Sequence, residues 1–287
     1  MDKTRVDIKK IEDIANRIRI HVVKMIAQSG VGHVGGSMSI AEILSVLYFY
    51  ELKIKNLDCE DRDRFILSKG HGCPAFYAAL SELGYVDKKL LKTLHEIDSP
   101  FQMHPEYGCC PGVEMSTGAL GQGLSAGIGM ALGARIRGKG FRVYVVVGDG
   151  ESNEGQVWEA ALCAGKFKLD NLVAILDYNK FALSDRISQV MPLEPVVDKW
   201  KSFGWHVIEA DGHSVKDLIR AFDAARGIKN KPCIIIAHTV KGFRVASVAD
   251  QAKSHSVSFT KEQVVSTLKD LGCGKAEIQE MLSQLEE

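Results

Sequence analysis

What the chain lacks narrows its possibilities first. Its 36 basic and 36 acidic residues cancel, so no charge excess draws it to nucleic acid or to a membrane surface. No run approaches the ~20 apolar residues of a transmembrane helix. The opening Met1-Asp2-Lys3-Thr4-Arg5 lacks the apolar core of a signal peptide. The seven cysteines are odd in number and include no Cys-x-x-Cys. Cys109 and Cys110 are adjacent and Cys73 lies two residues after His71, spacings that fit no common zinc pattern. We expect reduced thiols in a cytoplasmic protein. Internal repeats, low-complexity tracts and a linker that would split the chain are also missing.

A composition of 46% hydrophobic and 25% charged residues suits a soluble globular fold. The length allows one large α/β domain or two smaller ones, and without a linker we expect one domain over residues 1–287. Arg142 to Val147 reads Arg-Val-Tyr-Val-Val-Val, short and β-branched, as in a strand buried on both faces of a parallel sheet. Gly148-Asp149-Gly150 follows, and glycines there let the backbone turn sharply and approach a ligand. Glu154 to Phe167 has helical spacing, with Val157, Ala160, Ala161 and Ala164 on one side. Leu172 to Leu176 is a second buried strand, ending in Asp177-Tyr178-Asn179. A right-handed strand–helix–strand crossover makes the two strands parallel, and ligands bind outside the carboxyl ends of such strands. Asp149 and Asn179 both sit at that edge. Their oxygens, with a carbonyl such as that of Phe181, suit a hard cation such as Mg²⁺ that also takes phosphate oxygens. A helix opening near Glu154 points N–H groups toward an anion. Taken alone, a Gly-Asp-Gly turn is more often a plain solvent-facing turn, and the second element at the next strand is what outweighs that.

Elsewhere, residues 6 to 28 read as an amphipathic helix through Ile11, Ile14, Ala15, Ile18, Val22 and Ile26. Gly30 to Gly36 reads as a loop around His33, Ser39 to Glu51 as an apolar helix, and Arg64 to Leu67 as a short strand. Ala75 to Leu83 and Asp87 to His95 read as helices, and Phe101 to Met115 as a long loop of the kind that often carries function. Gln122 to Arg137 is a helix rich in Gly and Ala, built for tight packing inside the domain or for a subunit interface. Trp205 to Ala210 and Cys233 to Ala237 are further strands. Ser214 to Asp217 and Thr260 to Gln263 are capping boxes. The alternation means a doubly wound, mainly parallel sheet.

Several ordered motifs then stand out. They are Ser29-Gly30…Gly32-His33-Val34-Gly35-Gly36-Ser37, Leu67-Ser68-Lys69-Gly70-His71-Gly72, Met103-His104-Pro105-Glu106 and Ser116-Thr117-Gly118-Ala119-Leu120-Gly121-Gln122-Gly123. The Gly-Asp-Gly segment and Lys241-Gly242 complete the order. In these the chain resembles the amino-terminal part of transketolases, within the thiamine-diphosphate enzymes. The resemblance implies the α/β domain that binds the diphosphate end of that cofactor, with Mg²⁺ (or Ca²⁺ or Mn²⁺) held by Asp149, Asn179 and Phe181. It implies cofactor contacts from His71, Gly118, Ala119, Leu120, Gly150, Glu151, Glu154, Asn179 and Lys241. His33, His104 and His255 would line the substrate channel as catalytic residues. Glu154 would lie where the two cofactor sites of a dimer communicate, besides suiting the positive end of a helix. The family's single-chain members are about twice as long, so this chain looks like the first subunit of a split transketolase. The partner chain would carry the pyrimidine-binding and C-terminal domains and the activating Glu, in an α2β2 heterotetramer.

Two stretches depart from the family pattern. Extra residues precede His33, and Ser256-Val257-Ser258 follows His255 where the family usually has Gly. His21, His95, His206, His213 and His238 are better explained structurally. Ketol transfer needs sugar hydroxyl protons to move near neutral pH, which histidine does. The expected activity is transfer of a two-carbon ketol unit from a ketose, a sugar phosphate in the first instance, to an aldose. The alternatives are a deoxyxylulose-phosphate-synthase-like or oxo-acid dehydrogenase E1-like subunit, and a non-catalytic Mg-nucleotide module.

Overall fold

The computed structural model describes residues 6–285; the opening Met1–Arg5, with its missing apolar core, lies outside them. Five short runs become strands: β1 (Arg64–Leu67), β2 (Val143–Gly148), β3 (Leu172–Tyr178), β4 (His206–Asp211) and β5 (Cys233–His238). They form one sheet in the order β1-β2-β3-β5-β4, and every pairing is parallel. β2 and β3 are buried at every position, as strands covered on both faces must be. β4, at an edge, keeps exposed positions.

The helices are α1 (Ile8–Ser29), α2 (Val34–Met38), α3 (Ala41–Val46), α4 (Cys73–Glu82), α5 (Gln122–Ile136), α6 (Gly155–Lys166), α7 (Ile187–Val190), α8 (Val196–Ser202), α9 (Val215–Gly227), α10 (Lys261–Asp270) and α11 (Lys275–Gln284). Alternate residues of each strand feed two separate cores. Tyr144 and Val146 of β2 join Val173 and Ile175 of β3 against α1, α3, α4 and α9. Val143, Val145 and Val147 join Leu172 and Ala174 against α5, α6 and α8. The sheet is therefore doubly wound, as its sequence pattern implied.

Local differences have local causes. The stretch read as a loop from Gly30 to Gly36 turns helical at Val34, because Ser37 Oγ donates to the His33 carbonyl at 2.7 Å and Ser39 N–H to Gly35. The helix expected from Ser39 starts at Ala41 and ends in a π turn over Leu47–Glu51. Lys88–Thr93 is 3₁₀ rather than α. Thr260 and Gln263 form both arms of a capping box. Ser214 forms only one, since Asp217 turns instead to the Asp211 N–H.

The sheet decides where the chemistry gathers. Ser68-Lys69-Gly70-His71 follows β1, Asp149 follows β2, Asn179 follows β3, and Thr239-Val240-Lys241 follows β5. Four parallel strands thus deliver four loops to one edge.

Candidate active site

The register Gly148↔Asp177 puts the turn after β2 beside the end of β3. Asp149 joins the two: Gly150 N–H donates to its Oδ1 at 2.8 Å, and Lys180 N–H donates to its Oδ2. Its carboxyl is 1% exposed. Burial, and then the facing Asp177 charge, push it up to about 7. Asn179 Nδ2 donates to Asp177 at 2.9 Å, and its Oδ1 accepts from Phe181 N–H at 3.1 Å. A methyl built on Gly150 would lie 3.8 Å from the Phe181 carbonyl oxygen, so that oxygen stands at the same turn.

These groups fit a hard cation. The donors are a buried carboxylate short of positive charge, a carboxamide oxygen and a main-chain carbonyl, which is oxygen chemistry. Among the described residues no three His, Cys, Asp or Glu side chains form a metal-binding group, so the mixed set is what the edge offers. A 3₁₀ turn, Glu151–Asn153, stands between Asp149 and α6. The N–H groups of Ser152, Asn153 and Glu154 bond within it. They are committed to the turn, so the free helix end expected near Glu154 begins further from Asp149.

Beneath this lies a network that sequence reasoning missed. Lys69 Nζ donates to Asp177 Oδ2 and, at 2.9 Å, to the Gly36 carbonyl. Asp177 also accepts from Ser39 Oγ at 2.8 Å and from Thr239 Oγ1. Burial opposes ionisation of Asp177, yet the Lys69 ammonium holds its carboxyl below the usual range. The available signal was the charge itself: a carboxylate closing a wholly apolar run needs a buried partner.

Glu151 clamps three loops. It accepts from Ser68 Oγ at 2.5 Å, Gly121 N–H at 2.9 Å and Gly148 N–H at 2.9 Å. Its oxygens therefore position the Gly118–Leu120 backbone rather than reach outward. Gly118 has φ 142°, and a methyl there would meet the His104 ring at 3.0 Å. The loop and the histidine are in contact because that residue has no side chain. Glu154 is exposed at the start of α6, against Gly121.

Four imidazoles gather beside this edge. The His33, His71 and His255 ring centroids form a triangle with sides of 5.7, 5.1 and 5.2 Å, and His104 lies 5.8 Å from His33. Burial, then neighbouring positive groups, hold His33 and His255 down to about 4. Burial holds His71 well below its ordinary value and His104 below it to a lesser degree. The rings are thus neutral near pH 7, able to accept or donate a proton. Lys241 Nζ donates to the Ala182 carbonyl at 2.7 Å. Burial, then Lys69, lower its ammonium to about 8.

The histidines given structural readings behave variously. His213 Nε2 accepts from Val240 N–H at 2.9 Å, its Nδ1 faces Glu42 at 3.1 Å, and its ring stacks on Phe243. It holds the loop that carries Lys241. His21 pairs with Glu82, and His238 with Glu209. His206 is exposed at the start of the edge strand. His95 faces Ser29 Oγ at 2.8 Å, beside the His33 loop.

With this geometry in place, comparison with known proteins is decisive. Residues 10–285 match the family model described as "Transketolase, thiamine diphosphate binding domain". The chain belongs to the transketolase family. It is 42% identical over 259 residues to the 6-deoxy-6-sulfo-D-fructose transketolase subunit SqwG of Clostridium sp. (strain MSTE9), covering 90% of this chain and 94% of that one. It is 37% identical over 270 residues to one subunit of the apulose-4-phosphate transketolase of Phocaeicola vulgatus, covering 93% and 95%. Human transketolase is 38% identical over 267 residues, which is 92% of this chain and 42% of that protein. The crystal structure of transketolase from Campylobacter jejuni superposes with a TM-score of 0.88 at 28% identity, over 98% of this chain and 47% of that one. The chain thus spans the length of the two subunit relatives and less than half of single-chain transketolases. It corresponds to the amino-terminal, thiamine diphosphate binding part of a transketolase. Among the described residues no helix is long and apolar enough to cross a membrane.

Proposed function

We propose that this transketolase subunit binds thiamine diphosphate through a divalent cation, Mg²⁺ first, held by Asp149, Asn179 and the Phe181 carbonyl. It moves a two-carbon ketol unit from a ketose to an aldose. The single domain over residues 1–287 is then one half of the working site. The partner chain brings the pyrimidine-binding and C-terminal domains and the activating Glu, in an α2β2 assembly in the cytoplasm. The relatives' names, one from a sulfo-sugar transketolase and one from a sugar-phosphate transketolase, support a sugar with an anionic end as substrate.

Bound there, the cofactor would supply carbanion stabilisation. This chain's residues supply the rest. Asp149 and Asn179 hold the cation. The backbone of Gly118, Ala119, Leu120 and Gly150, with His71 and the Lys241 charge, seats the diphosphate. Glu151 fixes those loops, and Glu154 faces outward from the same turn, toward the second site of the assembly. His33, His104 and His255 meet the sugar and exchange protons with its hydroxyls.

The observation that carries this reading is the placement of four converging, neutral imidazoles beside a sheet edge that ends in Asp149 and Asn179. The test is Asp149→Ala in the complex with its partner. Mg²⁺-dependent binding of thiamine diphosphate should disappear in calorimetry. Unchanged cation-dependent binding would overturn the reading.

A further inference from the structure

The loop that carries His33 is gripped from two sides. On one, Gly32 and Val257 form an isolated antiparallel bridge. Gly32 N–H donates to the Val257 carbonyl at 3.1 Å, and Val257 N–H returns a bond to the Gly32 carbonyl at 2.9 Å. Gly32 precedes His33, and Val257 lies two residues past His255. The two rings meet edge-on, 5.2 Å between centroids. Side chains leave little slack, since a methyl on Gly32 would lie 2.7 Å from Ile26 Cγ1. On the other side, Ser29 Oγ donates to the Val31 carbonyl at 3.1 Å. His95 Nδ1 lies 2.8 Å from the same hydroxyl, within hydrogen-bond distance. His95 holds this contact from a left-handed backbone, φ 70°, a conformation that persists only where surroundings enforce it. Gly32, just before His33, and Val257, just after His255, are therefore each other's partners.

We propose that the Gly32–Val257 bridge is a latch that fixes His33 against His255, and that Ser29 and His95 brace the same loop from behind. These are positioning residues: they act on the substrate through His33. The proposal rests on the ketol-transfer reading. It adds which contacts set the place of the imidazole that meets the ketose. The latch is main chain, so any residue with an N–H preserves it at 257, and proline removes the bond that the Val257 N–H donates to Gly32. Its environment agrees. His33 faces His104 and His95 from the segment after α4, His255 from the segment after β5, and His71 and Lys69 from the loop after β1. Burial first, then the charges of His104, His95 and Lys69, keep it neutral to about pH 4. An unlatched ring meets more water and titrates closer to its ordinary value near 6.5.

The experiment compares Val257→Pro with Val257→Ala in the full chain, alone and assembled with its partner. In the proline variant, the KM for the ketose should rise roughly ten- to a hundredfold, the cost of misplacing a reacting group by about 1 Å. Thiamine diphosphate affinity should stay at the wild-type level. By NMR on the full chain, the His33 ring should titrate at higher pH. The alanine variant should match wild type in all three. Ser29→Ala should move KM and the titration in the same direction by less, and it carries the test if the proline variant does not fold. A proline variant with wild-type KM and titration would overturn the latch. So would an alanine variant as impaired as the proline one. A shifted His33 titration in an assembly that transfers no ketol unit from any donor would leave the latch standing and refute the functional reading instead.

Discussion

Lys69 and Asp177 form a fully buried ion pair that reaches from the end of β1 to the end of β3, across the intervening strand β2. Asp177 also takes hydrogen bonds from Ser39 between α2 and α3, from Asn179 and from Thr239. The pair thus ties together the loop after β1 and the loops that hold Asn179 and Lys241.

Lys69→Met leaves the Asp177 charge buried without its partner. Such a loss costs about 3–5 kcal/mol. Denaturant unfolding should show it, while the double variant Lys69→Met/Asp177→Asn should lose clearly less than the sum of the two single ones. Additive losses would mean that the pair does not act as a unit.

Glu151→Gln keeps the shape but replaces one acceptor oxygen by an NH₂. Its carboxylate faces only donors, so one donor must go unmet, at about 1–3 kcal/mol. Hydrogen exchange should quicken in residues 116–121, with weaker cofactor binding although the side chain itself points inward. Unchanged exchange there would sink the clamp.

The histidine cluster predicts an acid-labile fold. His33 and His255 titrate near 4 when folded, against about 6.5 in an unfolded chain. Between those values the unfolded chain binds more protons, so stability falls as pH drops from about 6.5 to 4. The urea midpoint should follow that window, and His33→Phe or His255→Phe should flatten it. The partial exposure of both rings keeps the effect below that of a wholly buried pair.

Helix α5 carries small residues on two faces with different duties. Gly123 and Gly127 touch Ser68 and Val145, with no room for a methyl group, whereas Gly129 and Gly133 meet nothing within 4 Å. Ala at 129 or 133 should stabilise the isolated chain by about 0.5–1 kcal/mol each. Assembly with the partner should weaken, as sedimentation would show, because we expect that face to be covered. Stabilisation without weaker assembly would place the partner elsewhere.

Much of the site was legible because it rests on local rules. Val143–Val147 and Leu172–Leu176 could only be buried parallel strands, so Asp149 and Asn179 had to share an edge. His33, His71 and His104 stood in glycine- or proline-marked loops at element ends. Lys69 and Asp177 are not legible as a pair because 108 residues separate them, and nothing in either neighbourhood names the other. The same holds for His95: its partner Ser29 lies at the end of a helix 66 residues away.

The order of apolar runs, turns and helical periods in the chain determined by itself a doubly wound sheet and the edge where its chemistry would collect, since burial and backbone hydrogen bonding leave few other solutions. Tertiary packing alone decided how four histidine rings come within 6 Å of a neighbour, which carboxylate Lys69 neutralises, and that Gly32 pairs with Val257. Those contacts join residues far apart in the chain, and their geometry is set by the twist and register of the strands between them.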